Sequence, residues 1–268
     1  MIGSGPGPIG ILQGRLTPPW NGELQCFPRG AWEREFRLAQ ECGFDALELI
    51  AEAQYNAENP IWSEDGRKRI RELAAGTGVS AETLCADCFM SVSFAGDPSA
   101  SAELLSRLAA SGVHRIVLPF LGPAQFASLQ EADRVIARLS AMDTPGVELA
   151  IESALAAEDL GRLLESTGLG VCYDLGNMTA LGRDLVREIH ALGPSITHVH
   201  VKDKRRADGQ NMILGTGDTD LAGAFAALRD VEYSGGFTLE TTRGDDPLLT
   251  ARRHRELVAG FLQGGCEP

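Results

Sequence analysis

One unit recurs along this chain: an amphipathic stretch, a glycine stop, then a short apolar run. The runs are CGFDALELI from Cys42, TGVSAETLC from Thr77, SGVHRIVLPF from Ser111, PGVELAIES from Pro145, TGLGVCYDLGN from Thr167, LGPSITHVHVKD from Leu192 and SGGFTLETT from Ser234. With IGILQGRL near the start they make eight candidate strands. Glycine suits the stop because a helix commonly ends on a left-handed residue, a conformation glycine adopts without steric cost. The preceding stretches carry apolar residues at helical spacing, as in Trp32, Phe36 and Ala39, in Leu104, Leu108 and Ser111, or in Leu185, Ile189 and Leu192. Nearly continuous apolar runs such as Ile116, Val117 and Leu118 fit a parallel sheet covered by helices. Steps of 35, 34 and 34 residues between Gly43, Gly78, Gly112 and Gly146 favour closure. The fold class expected is α/β, a (β/α)8 TIM barrel, as one domain over residues 1–268. An open doubly wound sheet is the alternative, but GILQGRLTPP lacks the glycine-rich nucleotide loop such sheets carry after their first strand. The uneven later steps predict a long loop between Lys202 and Leu221.

Charge and composition narrow the partners. Lysine and arginine number 24 against 37 acids, a formal net charge of -13, which repels a phosphate backbone, so no nucleic-acid partner is expected. No apolar run is long enough to span a membrane, and MIGSGPGPIG lacks the basic start of a secretion signal, so a cytoplasmic protein with no membrane partner is expected. The 6 cysteines then read as free thiols. Cys85 and Cys88 form a CxxC, yet no second pair follows at zinc-finger spacing, and packing is the expectation there.

In a barrel the chemistry collects at the carboxyl ends of the strands, so polar residues that terminate apolar runs carry the most information. The fifth to eighth runs end in Glu152 (LAIES), Asp174 (VCYDLGN), His200 (THVHVKD) and Glu240 (FTLETT). A single acid at a strand end is usually a helix cap or a solvated rim residue. Four metal-competent groups on successive strands point instead to a cation, because carboxylates gathered without one raise each other's pKa. Three carboxylates and an imidazole suit one divalent metal ion: Mn, Mg, Co or Zn.

On LAIES, YDLGN, HVHVKD followed by GTGDTDL, and TLET, the chain resembles the xylose isomerase-like TIM-barrel family. That group comprises sugar phosphate isomerases and epimerases, including ketose 3-epimerases and inosose dehydratases, and the likeness runs from QGRL to the end. It implies a metal-dependent isomerase or epimerase acting on a sugar or polyol by proton abstraction next to a carbonyl, through an enediolate. Glu152 and Glu240 would be metal ligands and also the catalytic acid and base pair, with Asp174 and His200 completing the shell. A metal-dependent lyase, an inosose-type dehydratase or 3-keto-glycoside eliminase, would use the same groups. A non-catalytic barrel would normally have lost a ligand, and an abasic-site endonuclease would need more than the 5 histidines here.

The same resemblance implies substrate contacts at Glu158 and Arg206. Asn177 replaces a histidine of those epimerases three residues beyond the aspartate, and an amide cannot carry a proton at neutral pH. Arg15 and Glu48, at the ends of the first and second runs, are further candidate substrate-binding residues. His198 is expected to pack against a helix on the opposite side of its strand from His200. The basic run Lys202, Lys204, Arg205 and Arg206 reads as solvated, with Gly215 and Gly217 keeping a phosphate site open. Trp20, Phe27, Trp62 and Phe89 are candidates for an apolar wall of the pocket. Related barrels often pair, so a homodimer is an open expectation.

Overall fold

Each glycine stop releases a helix into a strand. Gly43, Gly78, Gly112 and Gly146 have φ of 80°, 72°, 86° and 75°, the left-handed geometry that ends a helix. In the computed structural model, which describes residues 7–91, 94 and 98–264, eight of the strands are β1 (Ile9–Leu12), β2 (Ala46–Ile50), β3 (Thr83–Cys85), β4 (Arg115–Phe120), β5 (Glu148–Ser153), β6 (Gly170–Asp174), β7 (Ile196–Val201) and β10 (Gly236–Leu239). They close into a parallel barrel in the order β1-β10-β7-β6-β5-β4-β3-β2. The chain is therefore a (β/α)8 TIM barrel, with every expected strand in its expected run.

The helices α1 (Trp32–Glu41), α2 (Glu64–Thr77), α3 (Pro98–Ala109), α4 (Leu129–Ser140), α5 (Ala157–Leu164), α6 (Leu175–Ala180), α7 (Leu185–Leu192), α8 (Leu221–Asp230) and α9 (Pro247–Leu262) accompany the barrel. Phe36 and Ala39 are buried on α1, and Leu185, Ile189 and Leu192 on α7. Ser111 lies beyond the end of α3, so the third expected member of that stripe belongs to the turn. The long segment after Lys202 folds back as an antiparallel pair, β8 (Asp203–Lys204) with β9 (Asn211–Met212).

The apparently continuous apolar strands are sorted by period two. Ile116, Leu118, Leu149, Ile151, Val199, Val201 and Leu239 join the main core between barrel and helices, while Val117, Ala150 and Cys172 form a small separate cluster. On β7 the alternate positions His198 and His200 are buried, paired in register with Gly236 and Thr238 of β10. The barrel interior is thus largely polar at its carboxyl end, and the apolar core is a sleeve around it.

Candidate metal centre

His200 is the hub of the polar interior. Its Nδ1 lies 3.8 Å from Glu152 Oε2, 3.8 Å from Asp174 Oδ2 and 3.8 Å from Glu240 Oε2. All four residues are buried. Period two delivers these side chains: Glu152 is the last residue but one of β5, Asp174 ends β6, and Glu240 follows β10 directly. Glu152 and Glu240 come from strands separated by β6 and β7 and meet at the same edge of the imidazole.

The opposite edge of the imidazole is fixed by Glu48 of β2, only 1% exposed. Its carboxylate accepts from His200 Nε2 at 3.1 Å, from His198 Nε2 at 2.8 Å and from the Thr238 hydroxyl. A carboxylate only accepts, so both Nε2 atoms carry protons and Nδ1 is the nitrogen of His200 left facing the three acids. Against the burial that would raise it, the two imidazoles hold Glu48 well below the usual carboxylate range. Glu48 was expected to meet a substrate; it lies underneath His200 and orients it. His198 was expected on the outer side of β7, but residues two apart share a face. It sits one layer below His200, and Arg115 Nη1 reaches its Nδ1 at 3.5 Å.

Asn177 also serves the acids. Its amide nitrogen donates to Glu152 Oε1 at 2.9 Å and Asp174 Oδ2 at 3.1 Å, and its backbone N–H is capped by Asp174 Oδ1 at 2.7 Å. The first turn of α6 thereby locks two carboxylates together. The residue that sequence reasoning placed in solvent is Lys202, 8% exposed, with Nζ 2.7 Å from Asp174 Oδ2 and bonded to Glu240. Period two could have found it, since Lys202 follows His200 at the same interval as His200 follows His198. Burial would lower its pKa, but Asp174, Glu240 and Glu152 raise it above the usual lysine range.

The two prospective acid and base groups are held at unlike proton affinity. Burial, with Asp174 and Glu240 nearby, pushes Glu152 above the ordinary glutamate range. Burial acts the same way on Glu240, but Lys202, His200 and Arg15 outweigh it and hold Glu240 low. Arg15, 3% exposed, stands 3.9 Å from Glu240 Oε1 and donates to Gln25 Oε1 at 2.8 Å and to the Leu24 carbonyl. Its loop is braced by Glu35, which accepts from Thr17 Oγ1 at 2.8 Å, and by Arg243, which donates to the Gly14 and Thr17 carbonyls.

Other candidates lie elsewhere. Glu158 is on exposed α5 surface, 2.6 Å from Arg187. Arg206 is exposed at a rim pocket shared with Arg183 and Asp220. The basic run is dispersed, with Arg205 paired to Asp208 at 2.7 Å. The backbone N–H groups of Gly215, Gly217 and Thr219 are turned onto Asp203, at 2.9, 2.8 and 3.1 Å, so the chain's own carboxylate fills the anion nest. Cys85 and Cys88 are free and buried, and Cys85 donates to Asp87 at 3.3 Å. Trp20 and Phe27 border one rim cavity, Phe89 stacks on Phe94, and Trp62 packs against Tyr55.

The donor set fits a divalent cation. Ligand atoms of Glu152, Asp174 and His200 lie within 4.8 Å of one another. His200 Nδ1 is buried without a hydrogen-bond partner, and the ammonium of Lys202 already lies among the same acids as a positive charge would. Carboxylates with one imidazole select a hard or borderline ion over a thiophilic one.

Comparison with known proteins agrees with this architecture. The chain is 24% identical over 267 residues to SgbU of Escherichia coli strain K12, covering 87% of this chain and 92% of that one. It is 24% identical over 264 residues to the L-ribulose-5-phosphate 3-epimerase UlaE of Salmonella paratyphi C, covering 87% and 91%. Among solved structures, D-psicose 3-epimerase of Clostridium cellulolyticum H10 with D-tagatose superposes with a TM-score of 0.70 at 16% identity, over 97% of this chain and 100% of that one. The zinc-bound IolI protein gives 0.74 at 13% identity, over 97% and 100%. The family model for the xylose isomerase-like TIM barrel matches residues 36–260, and with that match over a closed eight-stranded barrel the chain belongs to the xylose isomerase-like TIM-barrel family.

Proposed function

We propose that this chain is a cytoplasmic, divalent-metal-dependent sugar epimerase or isomerase that moves a proton next to a carbonyl. One observation carries the reading: two carboxylates, Glu152 and Glu240, reach a single imidazole from strands on either side of β7. Such a pair supplies a base and an acid at one carbon. The names of the relatives support the substrate class, since UlaE is an L-ribulose-5-phosphate 3-epimerase and a structural neighbour holds D-tagatose.

Glu152, Asp174, His200 and Glu240 would hold the ion, with Asn177 and Glu48 keeping the ligands in place. A bound divalent ion supplies positive charge to a substrate carbonyl and its neighbouring hydroxyl. Of Glu152 and Glu240, one carboxylate would take the proton from the carbon next to the carbonyl and the other would return one, with Lys202 and Arg15 beside Glu240. Arg15 is placed to meet a substrate oxygen beside Glu240. The nest filled by Asp203 favours an unphosphorylated substrate, because the amides that would cradle a phosphate are taken.

The test is proton exchange by NMR in deuterated water, with manganese or magnesium added, on ketoses, inososes and 3-keto-glycosides. We expect metal-dependent deuterium incorporation next to the carbonyl, lost in Glu152→Gln and in Glu240→Gln. An epimerised product supports this reading, an eliminated one replaces it with a lyase, and failure of the protein to bind metal removes it altogether.

A further inference from the structure

A cavity of about 350 Å3 opens between the segments that follow β1, β2 and β3, and one of its lining residues, Gln25, is bonded to the Arg15 that stands beside Glu240. That volume lies within the roughly 300–1,000 Å3 usual for small-molecule sites. Its walls have two characters. Trp20 and Tyr55, the aromatics among the exposed large hydrophobic side chains, are 46% and 72% exposed and both border it. Between them stand Gln25, Glu52, Arg29 and Asp87.

These groups are held in place. The Arg29 guanidinium stands 5.3 Å from the centre of the Trp20 ring and fixes the indole from one face. Tyr55 leans on Trp62 with ring centres 5.8 Å apart. Glu52 accepts from Asn56 at 3.1 Å and from Asn59 at 3.3 Å, and Asp87 accepts from Gln25 at 2.8 Å. A polar path then runs to the metal centre: Asp87 to Gln25, Gln25 to Arg15, and Arg15 to Glu240.

We infer that this cavity is a second carbohydrate subsite, and that the substrate is a glycoside or disaccharide whose reacting ring lies at the metal centre while a second pyranose ring lies here. The inference rests on the proposed function for the first ring only. The chemistry matches a sugar on both counts. Pyranose rings offer an apolar C–H face, which aromatic side chains cover, and a rim of hydroxyls, which carboxylates, amides and guanidinium groups bind. An apolar aglycone would leave Glu52, Gln25 and Asp87 facing a surface that cannot bond them, at a desolvation cost. A single monosaccharide at the metal would leave the remaining exposed faces of Trp20 and Tyr55, 46% and 72% exposed, without a ligand.

The test separates the subsite from the reaction. Saturation-transfer NMR and calorimetry on the metal-loaded wild-type protein would compare fructose with the ketose disaccharides isomaltulose, turanose and lactulose, and with phenyl glucoside. We expect at least one disaccharide to bind about tenfold more tightly than fructose, with transfer to the protons of its pyranose ring. Adding Trp20→Ala or Tyr55→Ala should remove that gain and that transfer while fructose binding stays unchanged. Disaccharides no tighter than fructose, or unaffected by both substitutions, overturn the inference, as does transfer to the phenyl ring alone. Wild-type proton exchange on free ketoses reports the first ring separately, so either reading can fail while the other stands.

Discussion

Two side chains touching the same carboxylates and imidazole should pull metal affinity in opposite directions. Lys202 places a positive charge where a cation would sit, against Asp174 and Glu240. Lys202→Met is expected to tighten divalent-metal binding by roughly tenfold or more. Glu48 fixes which nitrogen of His200 faces the acids. Glu48→Ala is expected to weaken binding about 10- to 100-fold, the usual effect of losing a ligand's orienting partner. Calorimetric titration with manganese reads both, and a common sign for the two variants would defeat the account. At this scale the clustering of Glu152, Asp174, His200 and Glu240 was legible, because each polar residue interrupts an apolar run at or near its end. What surrounds them was not. Glu48, His198 and Lys202 all lie on inward positions, but knowing which of several inward polar residues meets the acids requires the register between strands, and no one strand carries that.

At the scale of elements, α9 pins the segment that shapes the rim. His254, 2% exposed, accepts the N–H of Leu214 at Nε2 (3.1 Å) and lies 2.9 Å from Thr241 Oγ1 through Nδ1. The imidazole must be neutral to do so, and burial lowers its pKa to about 4. The unfolded chain protonates this histidine near 6.5, so between about pH 6.5 and 4 it binds a proton that the folded protein refuses. This contribution is therefore complete above pH 6.5 and is lost as pH falls toward 4, by up to about 3 kcal/mol. His254→Gln, which keeps an acceptor but does not titrate, should show a flatter fall in Tm between pH 7.5 and 4.5 than the wild type; parallel curves would rule out His254 as a source. The glycine stops made the barrel strands readable. The β8–β9 hairpin was read only as a long loop, since two-residue strands leave no periodicity, and the GTGDTDL turn was read as open because its partner, Asp203, lies twelve or more residues away.

For the molecule as a whole, a cation that binds the folded interior and not the unfolded chain must raise stability. At a hundredfold excess of free ion over Kd the gain is about 2.7 kcal/mol, or roughly 5–10 °C in Tm for a chain of this size. Manganese should produce this rise and a chelator should reverse it, and the rise should be smaller in Asp174→Asn, since a neutral amide replaces one of the charged ligands. A Tm indifferent to both additions would mean that the acids hold no ion.

The same molecule keeps its apolar packing and its chemistry in concentric layers: Ile116, Leu149, Val199 and Leu239 face the helices, and Glu152, Asp174 and His200 face the axis. Neighbouring positions on one strand therefore answer to different selective demands. Substitution in the outer layer can proceed without disturbing the polar axis, so sequences as dissimilar as this chain and its structural neighbours can share one barrel inside independently rebuilt walls.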